Sequence, residues 1–198
     1  NNKARMPEEL QEETIAEITN TAQEIQLLST NIMNWIKYQD DHRKLQKENF
    51  NLHDLANQVK GILDSIARQK NIRIINEVKT DLDIFQFIEP IKILMNNLLT
   101  NAINFSVSGD IVIGCEAGAP GASGIWLQVR DQGVGMTPEQ IQNVLSDEII
   151  ISSANIDNRR GNGLGYLIIK DLLKMIGGSI KIDSEKGKGT CVSVWIPA

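Results

Sequence analysis

Four short asparagine- or glycine-rich words stand in order along the second half of the chain: Asn97-Leu-Leu-Thr-Asn101-Ala102, Asp131-Gln-Gly133-Val-Gly135, Gly161-Asn-Gly163-Leu164-Gly165 and Gly187-Lys-Gly189-Thr190. Their residue types define a chemistry. Asn97 and Asn101 lie four apart, which on a helix turns both amides to one side. An amide oxygen is a neutral hard ligand for a magnesium ion that phosphate oxygens also hold. Asp131 follows the run Ile125-Trp-Leu-Gln-Val-Arg130 and precedes a Gly-X-Gly turn. A carboxylate there accepts from an exocyclic amine such as that of adenine. Gly133 and Gly135 let backbone pass close beside a flat ring, where a Cβ would collide. Thr190 adds a hydroxyl, reaching a base directly or through water. Gly161, Gly163, Leu164 and Gly165 lead into a predicted helix, whose first N–H groups form an anion cradle. Arg159 and Arg160 are the only cations of residues 146–160, and one of them is expected on a phosphate. No Gly-Lys-Ser/Thr follows, so this is not a P-loop. Each word alone is weak. Paired asparagines also decorate solvated helix faces, an aspartate also caps turns, and loop arginines also sit in water. The set is strong, because together the words supply every part of a nucleotide site.

The elements that position these words are legible from pattern. Residues 8–48 carry no Gly and no Pro, and Ile15, Ile18, Ala22, Ile25, Ser29, Ile32 and Ile36 follow a 3-4 spacing widened by Leu28 and Trp35. That predicts a coiled-coil-like helix about 60 Å long, with a stripe that another helix must cover. A second amphipathic helix is predicted over 51–68, with Leu52, Leu55, Val59, Ile62, Leu63 and Ile66 on its stripe and Asn51 as cap. Residues 72–78 alternate like a strand. Pro90 suits the first turn of a helix ending near Phe105. Strands follow near 110–116 and 125–130, joined by the glycine-rich and flexible segment 117–124. Thr137-Pro138-Glu139 begins a short helix, and 146–160 reads as a mobile loop. A helix over 164–176 ends at Gly177-Gly178, and strands near 179–183 and 190–196 close the chain. This order predicts an α+β fold: a two-layer α/β sandwich with a mixed, mostly antiparallel sheet.

Composition narrows the class. The chain has 198 residues, 41% of them apolar, and a net charge of -5. That suffices for a core and offers no basic surface for nucleic acid. An acidic protein that binds a polyanion builds its positive field locally, from metal, a few cations and helix N-termini. Cys115 and Cys191 lie in alternating apolar runs and read as reduced, buried thiols. No apolar run reaches the roughly 18 residues of a membrane span. No signal peptide is recognisable, and the opening at Asn1 inside a helical pattern reads as a piece cut from something longer.

With these motifs in view, the chain resembles the ATP-binding catalytic domain of sensor histidine kinases, of the superfamily shared with DNA gyrase B and MutL. The resemblance implies a Bergerat-type ATP-binding fold over 50–198, preceded over 1–49 by part of a dimerisation helix. Asn31-Ile-Met-Asn-Trp35 and Glu48-Asn-Phe-Asn-Leu52 are similar to that helix and its junction, especially in sensor kinases of Bacteroidetes. It implies ATP and Mg2+ as cofactors, Asn101 as the metal ligand and Asn97 and Asn101 as catalytic residues. It implies a homodimer through the N-terminal helix in the full-length protein, a response-regulator receiver domain as partner, and a cytoplasmic location with any inner-membrane anchor elsewhere in the protein. Asn97 stands where the gyrase-like branch has a water-activating glutamate, and an amide takes no proton near neutral pH. This favours phosphoryl transfer over steady hydrolysis. Three positions depart from the family: Asn104 replaces a basic residue, Leu145 a phenylalanine and Tyr166 a leucine. The His-Glu acceptor pair does not occur, and His42 and His53 read as plain surface residues. A superfamily ATPase and a degenerate nucleotide-binding scaffold remain the alternatives.

Overall fold

Asn51 starts the first well-defined helix by accepting, through its side chain, the backbone N–H of Asp54 at 3.1 Å. The computed structural model describes residues 46–119, 121–146 and 164–198, together with Thr14. All but Thr14 belong to one compact unit, Lys44–Ala198. The expected helix over 8–48, with its Ile15–Ile36 stripe and His42, lies outside the described residues, apart from Thr14 and residues 46–48. So do 147–163, with Arg159, Arg160, Gly161 and Gly163.

In chain order the elements are β1 (Glu48–Asn51), α1 (Leu52–Gln69), β2 (Ile72–Asn76), β3 (Asp83–Gln86), α2 (Ile88–Phe105), β4 (Gly109–Ala117), β5 (Gly124–Arg130), α3 (Pro138–Leu145), α4 (Leu164–Ile176), β6 (Ser179–Glu185) and β7 (Gly189–Pro197). The main sheet runs β2-β4-β5-β7-β6. Only the β2–β4 pair is parallel, and the other three are antiparallel. The expected two-layer sandwich with a mostly antiparallel sheet is what the chain forms. The pairing of β1 with β3 was not legible. Both are four-residue strands without clean alternation, and their pairing spans more than thirty residues.

Strand alternation turns Ile111, Ile113, Leu127, Val129, Val192, Val194 and Ile196 towards the helices, and all are buried. On α1 the buried stripe is Leu52, Leu55, Ala56, Val59, Leu63 and Ala67. The sequence placed Ile62 and Ile66 on it, but they are 61% and 50% exposed. The stripe passes through the alanines instead, and the isoleucines sit at its margin. α2 packs against both α1 and α4, and it buries Ile91, Leu94, Met95, Leu98, Leu99, Ala102 and Ile103. It starts at Ile88, two residues before Pro90, and just before it buried Gln86 accepts from Phe87 N–H and donates to the Pro197 carbonyl. The opposite sheet face carries Trp126 and Trp195, with ring centroids 5.4 Å apart, and Lys181 Nζ 4.0 Å above Trp126. The segment expected to be a flexible link has a packing reason for its glycines. A Cβ on Gly118 or Gly124 would lie 2.5 Å from the Trp195 ring.

Candidate functional site

Asp131 leaves the end of β5 facing the helix layer and is 9% exposed. Its Oδ1 accepts from Gly133 N at 2.8 Å and from Thr190 N at 3.2 Å. Its own N–H donates to the Thr190 carbonyl at 2.8 Å. The aspartate is thus bolted to β7 by backbone on both sides. Its Oδ2 makes no hydrogen bond to any described residue. Burial pushes the Asp131 carboxyl above its ordinary range, and the two N–H donors oppose that shift.

The glycines of the second and fourth words lock the same corner. A Cβ on Gly133 would lie 2.4 Å from the Phe105 carbonyl oxygen, which accepts from Val134 N–H. Gly135 has φ +65, and a Cβ there would lie 2.0 Å from the Glu185 carbonyl oxygen. Gly189 has φ +89, and its Cβ would lie 2.2 Å from the Asp131 carbonyl oxygen. The chain's own backbone therefore demands these glycines, before any ligand is considered. Ser184 ties the corner together. Its Oγ accepts from Met136 N–H, donates to the Gly189 carbonyl, and lies 2.9 Å from Thr190 Oγ1. Sequence reasoning missed Ser184; the available signal was a polar residue in phase with inward-facing Ile180 and Ile182.

Asn97 and Asn101 lie on one face of α2, as their spacing required, but in different surroundings. Asn97 is 2% exposed, and its Nδ2 donates to the Ile93 carbonyl at 2.8 Å, within its own helix. Asn101 is half-buried, and its Nδ2 is sealed from solvent with no partner. An unsatisfied buried amide costs free energy and points to a group that it normally meets. Gly165, in the first turn of α4, stands against it: a Cβ there would lie 3.2 Å from Asn101 Oδ1. Leu164 opens that helix. Among the described residues no group of three or more His, Cys, Asp or Glu side chains could hold a metal on its own. A metal here would have to arrive with its own oxygen ligands, which suits one neutral amide.

Tyr166 follows Gly165 and is half-buried. Burial and the Asp131 carboxylate both push its phenol well above the ordinary tyrosine range. Lys170 Nζ donates to the Ser146 carbonyl and so ties α4 to the end of α3. Thr137 and Gln140 form a capping box at the start of α3. His53 corrects its sequence reading as a surface residue. It is half-buried, with Nδ1 2.7 Å from the Val78 carbonyl oxygen, so Nδ1 carries the proton and donates. Asn76 Nδ2 donates to the His53 carbonyl.

The family of histidine kinase-, DNA gyrase B- and HSP90-like ATPases matches residues 88–198, from the start of α2 to the end of the chain. The chain belongs to this family. It is 26% identical over 185 residues to the autoinducer 2 sensor kinase/phosphatase LuxQ of Vibrio vulnificus, covering 91% of this chain and 22% of that protein. It is 24% identical over 185 residues to the sensor histidine kinase RcsC of Escherichia coli K12, covering 92% and 19%. The chain therefore spans about a fifth of the length of these relatives. The fold is that of the catalytic domain of histidine kinase ThkA, with TM-score 0.63 at 22% identity, covering 77% of this chain and 96% of that one. Full-length ShkA in complex with AMPPNP aligns with TM-score 0.71 at 20% identity, over 94% of this chain and 38% of that one. No described helix is long and apolar enough to cross a membrane.

Proposed function

We propose that this chain is the ATP-binding catalytic part of a sensor histidine kinase, with a dimerisation helix over 1–49 and the ATP domain over 50–198. The observation that carries the reading is Asp131: a buried carboxylate fixed through one oxygen by two backbone N–H groups, with its other oxygen unclaimed. That oxygen accepts the exocyclic amine of adenine, and Thr190 completes the base pocket from the neighbouring strand. Gly161, Gly163, Leu164 and Gly165 give backbone N–H groups to the phosphates at the start of α4, with Arg159 or Arg160 beside them. Asn101 supplies the amide oxygen for Mg2+, its unpartnered amide being free to turn. Magnesium, when bound, neutralises charge on the phosphate oxygens. Asn97, buried and engaged with Ile93, holds the helix that presents Asn101.

The protein does little covalent chemistry in such a reaction. It aligns the γ-phosphoryl group and excludes water, while a histidine nitrogen attacks. That histidine is expected on a dimerisation segment outside these residues, with relay to a receiver aspartate of a response regulator. Steady hydrolysis is the weaker reading, because Asn97 provides no carboxylate base where the gyrase-like branch has one. The full-length homodimer works from the cytoplasm, with any membrane anchor elsewhere in the protein. Incubation with labelled Mg-ATP tests the proposal. A chain extended upstream through a His-Glu helix should acquire acid-labile phosphate, and residues 1–198 should not. Label on His42 or His53 would contradict it.

A further inference from the structure

The helix-facing side of the sheet ends in a polar row. Val129, Val192 and Ile182 are register partners across β5, β7 and β6. Two residues further along, on the same side, the row reads Asp131, Thr190 and Ser184. Thr190 is the register partner of Ser184, and its carbonyl accepts from Asp131 N–H at 2.8 Å. Its own N–H donates to Asp131 Oδ1 at 3.2 Å. Asp131 and Thr190 are buried and Ser184 is half-buried. Facing residues on neighbouring antiparallel strands hold their Cβ atoms about 4.5–5.5 Å apart, so the three side chains stand in line.

The hydrogens of this row can be counted. A serine hydroxyl has one proton to give and two lone pairs to receive with. Met136 N–H, with its nitrogen 2.8 Å from Ser184 Oγ, can only donate. The Gly189 carbonyl oxygen, 2.9 Å from the same atom, can only accept. The contact between Ser184 Oγ and Thr190 Oγ1, also 2.9 Å, admits either direction when taken alone. If Ser184 gave its proton to Thr190, two oxygens would face each other at 2.9 Å across the Gly189 contact with no hydrogen between them. The Ser184 proton therefore goes to Gly189, one lone pair takes Met136 N–H, and the other receives the Thr190 hydroxyl proton. Thr190 Oγ1 has no further hydrogen-bond partner among the described residues. Its proton is spent inside the protein, and it has only lone pairs to offer.

We infer that Ser184 is a positioning residue of the base site: it takes the Thr190 proton and so makes Thr190 a pure acceptor, leaving Asp131 and Thr190 side by side to read hydrogen-bond donors alone. Adenine carries an amine donor on the edge in question, and guanine carries an oxygen acceptor at the same carbon. A threonine hydroxyl left to itself rotates, and would donate to that oxygen as readily as it accepts from the amine. Ser184 withdraws the first option, so the discrimination of Asp131 is reinforced by its neighbour. The inference rests on the nucleotide site proposed above and assigns Ser184 a role in its specificity.

Titration calorimetry on the whole chain with Mg-ATP and Mg-ITP, which has an oxygen in place of the amine, tests it. A wild type that binds no Mg-ATP overturns both the site and this inference. Given binding, Thr190→Val keeps the shape and loses the acceptor. It should weaken ATP by about 3- to 10-fold, the usual worth of one such hydrogen bond, while ITP affinity holds or rises. Ser184→Ala frees the Thr190 hydroxyl, and the ratio of ATP to ITP affinity should fall by a similar factor. Added to Thr190→Val, Ser184→Ala should change that ratio no further, because it acts through the hydroxyl already removed. A merely structural Ser184 would weaken both nucleotides together. An unchanged ratio in Ser184→Ala, or a change that persists in the double variant, overturns the inference and leaves the site standing. Should Ser184→Ala fail to fold, Thr190→Val decides: selective loss of ATP supports the acceptor, whereas equal loss of both nucleotides, greater loss of ITP, or no loss of either overturns it.

Discussion

Replacing Asp131 by asparagine separates recognition from architecture, because the two oxygens of this carboxylate do different work. Oδ1 accepts from Gly133 N at 2.8 Å and Thr190 N at 3.2 Å, and the amide oxygen of asparagine can accept both. The amide nitrogen then replaces the unclaimed oxygen and presents a donor to the adenine amine. Two facing donors cost roughly 2–4 kcal/mol of ATP affinity, or about 30- to 700-fold. The fold should not suffer. Its surroundings already disfavour the ionised carboxylate, so losing the charge is neutral or mildly stabilising, and the melting temperature should not fall by more than about 2 °C. Asp131→Ala differs. It strands two buried N–H groups at about 1–3 kcal/mol each, a fall of roughly 4–20 °C for a domain of this size. Calorimetric ATP titration and thermal melts on all three proteins read both effects. Asparagine and wild-type chains that bind ATP equally would remove Asp131 from the base site. An asparagine variant that melts as low as the alanine variant would refute the division of labour between the oxygens.

Gly135→Ala combines a left-handed backbone with a Cβ 2.0 Å from the Glu185 carbonyl oxygen, so urea unfolding should show a loss of about 3 kcal/mol or more. Gly61→Ala, on the exposed face of α1 with nothing within 4 Å of the new methyl, should instead gain about 0.5–1 kcal/mol. Asn101→Ala removes a sealed, unpartnered amide. Stability should hold or rise, while Mg-ATP affinity falls roughly 3- to 30-fold and ATP affinity in EDTA does not change. The pH dependence follows from the raised Asp131 carboxyl. Adenine binds the ionised form, so ATP affinity should fall as pH drops through the folded value, and the asparagine variant should lack this component. For stability the sign is opposite. The contribution of Asp131 is full below its unfolded pKa, about 3.9, and is lost as pH rises through the raised folded value. Paired melts of wild type and Asp131→Asn across that range check it.

The order and type of the main elements were legible because caps and periodicities agree. Asn51, Thr137-Pro138 and Gly177-Gly178 mark helix ends, and the strands alternate cleanly about Ile111, Leu127 and Val194. What was illegible depends on residues far apart in sequence. Gly135 needs its freedom because of Glu185, and Gly189 because of Asp131, contacts that span about fifty residues or more. No local pattern encodes them. Asn97 and Asn101 share a spacing, yet one is locked to Ile93 and the other lacks a partner. Asn97 bonds within its own helix, whereas Asn101 stands against Gly165 of α4. The exposure of Ile62 and Ile66 has a similar origin, since among the described residues α1 packs against α2 and β2 and its far flank meets none of them. His53 looked like a surface residue because its partner, the Val78 carbonyl, lies 25 residues away.

The most direct measurement is an amide nitrogen–proton NMR titration of the chain with Mg-ATP. The account predicts that Gly133, Gly135, Gly165 and Thr190 shift together and saturate at one equivalent. Trp126 and Trp195, on the opposite sheet face, should stay still. Absent shifts, or shifts confined to the tryptophan face, would contradict it.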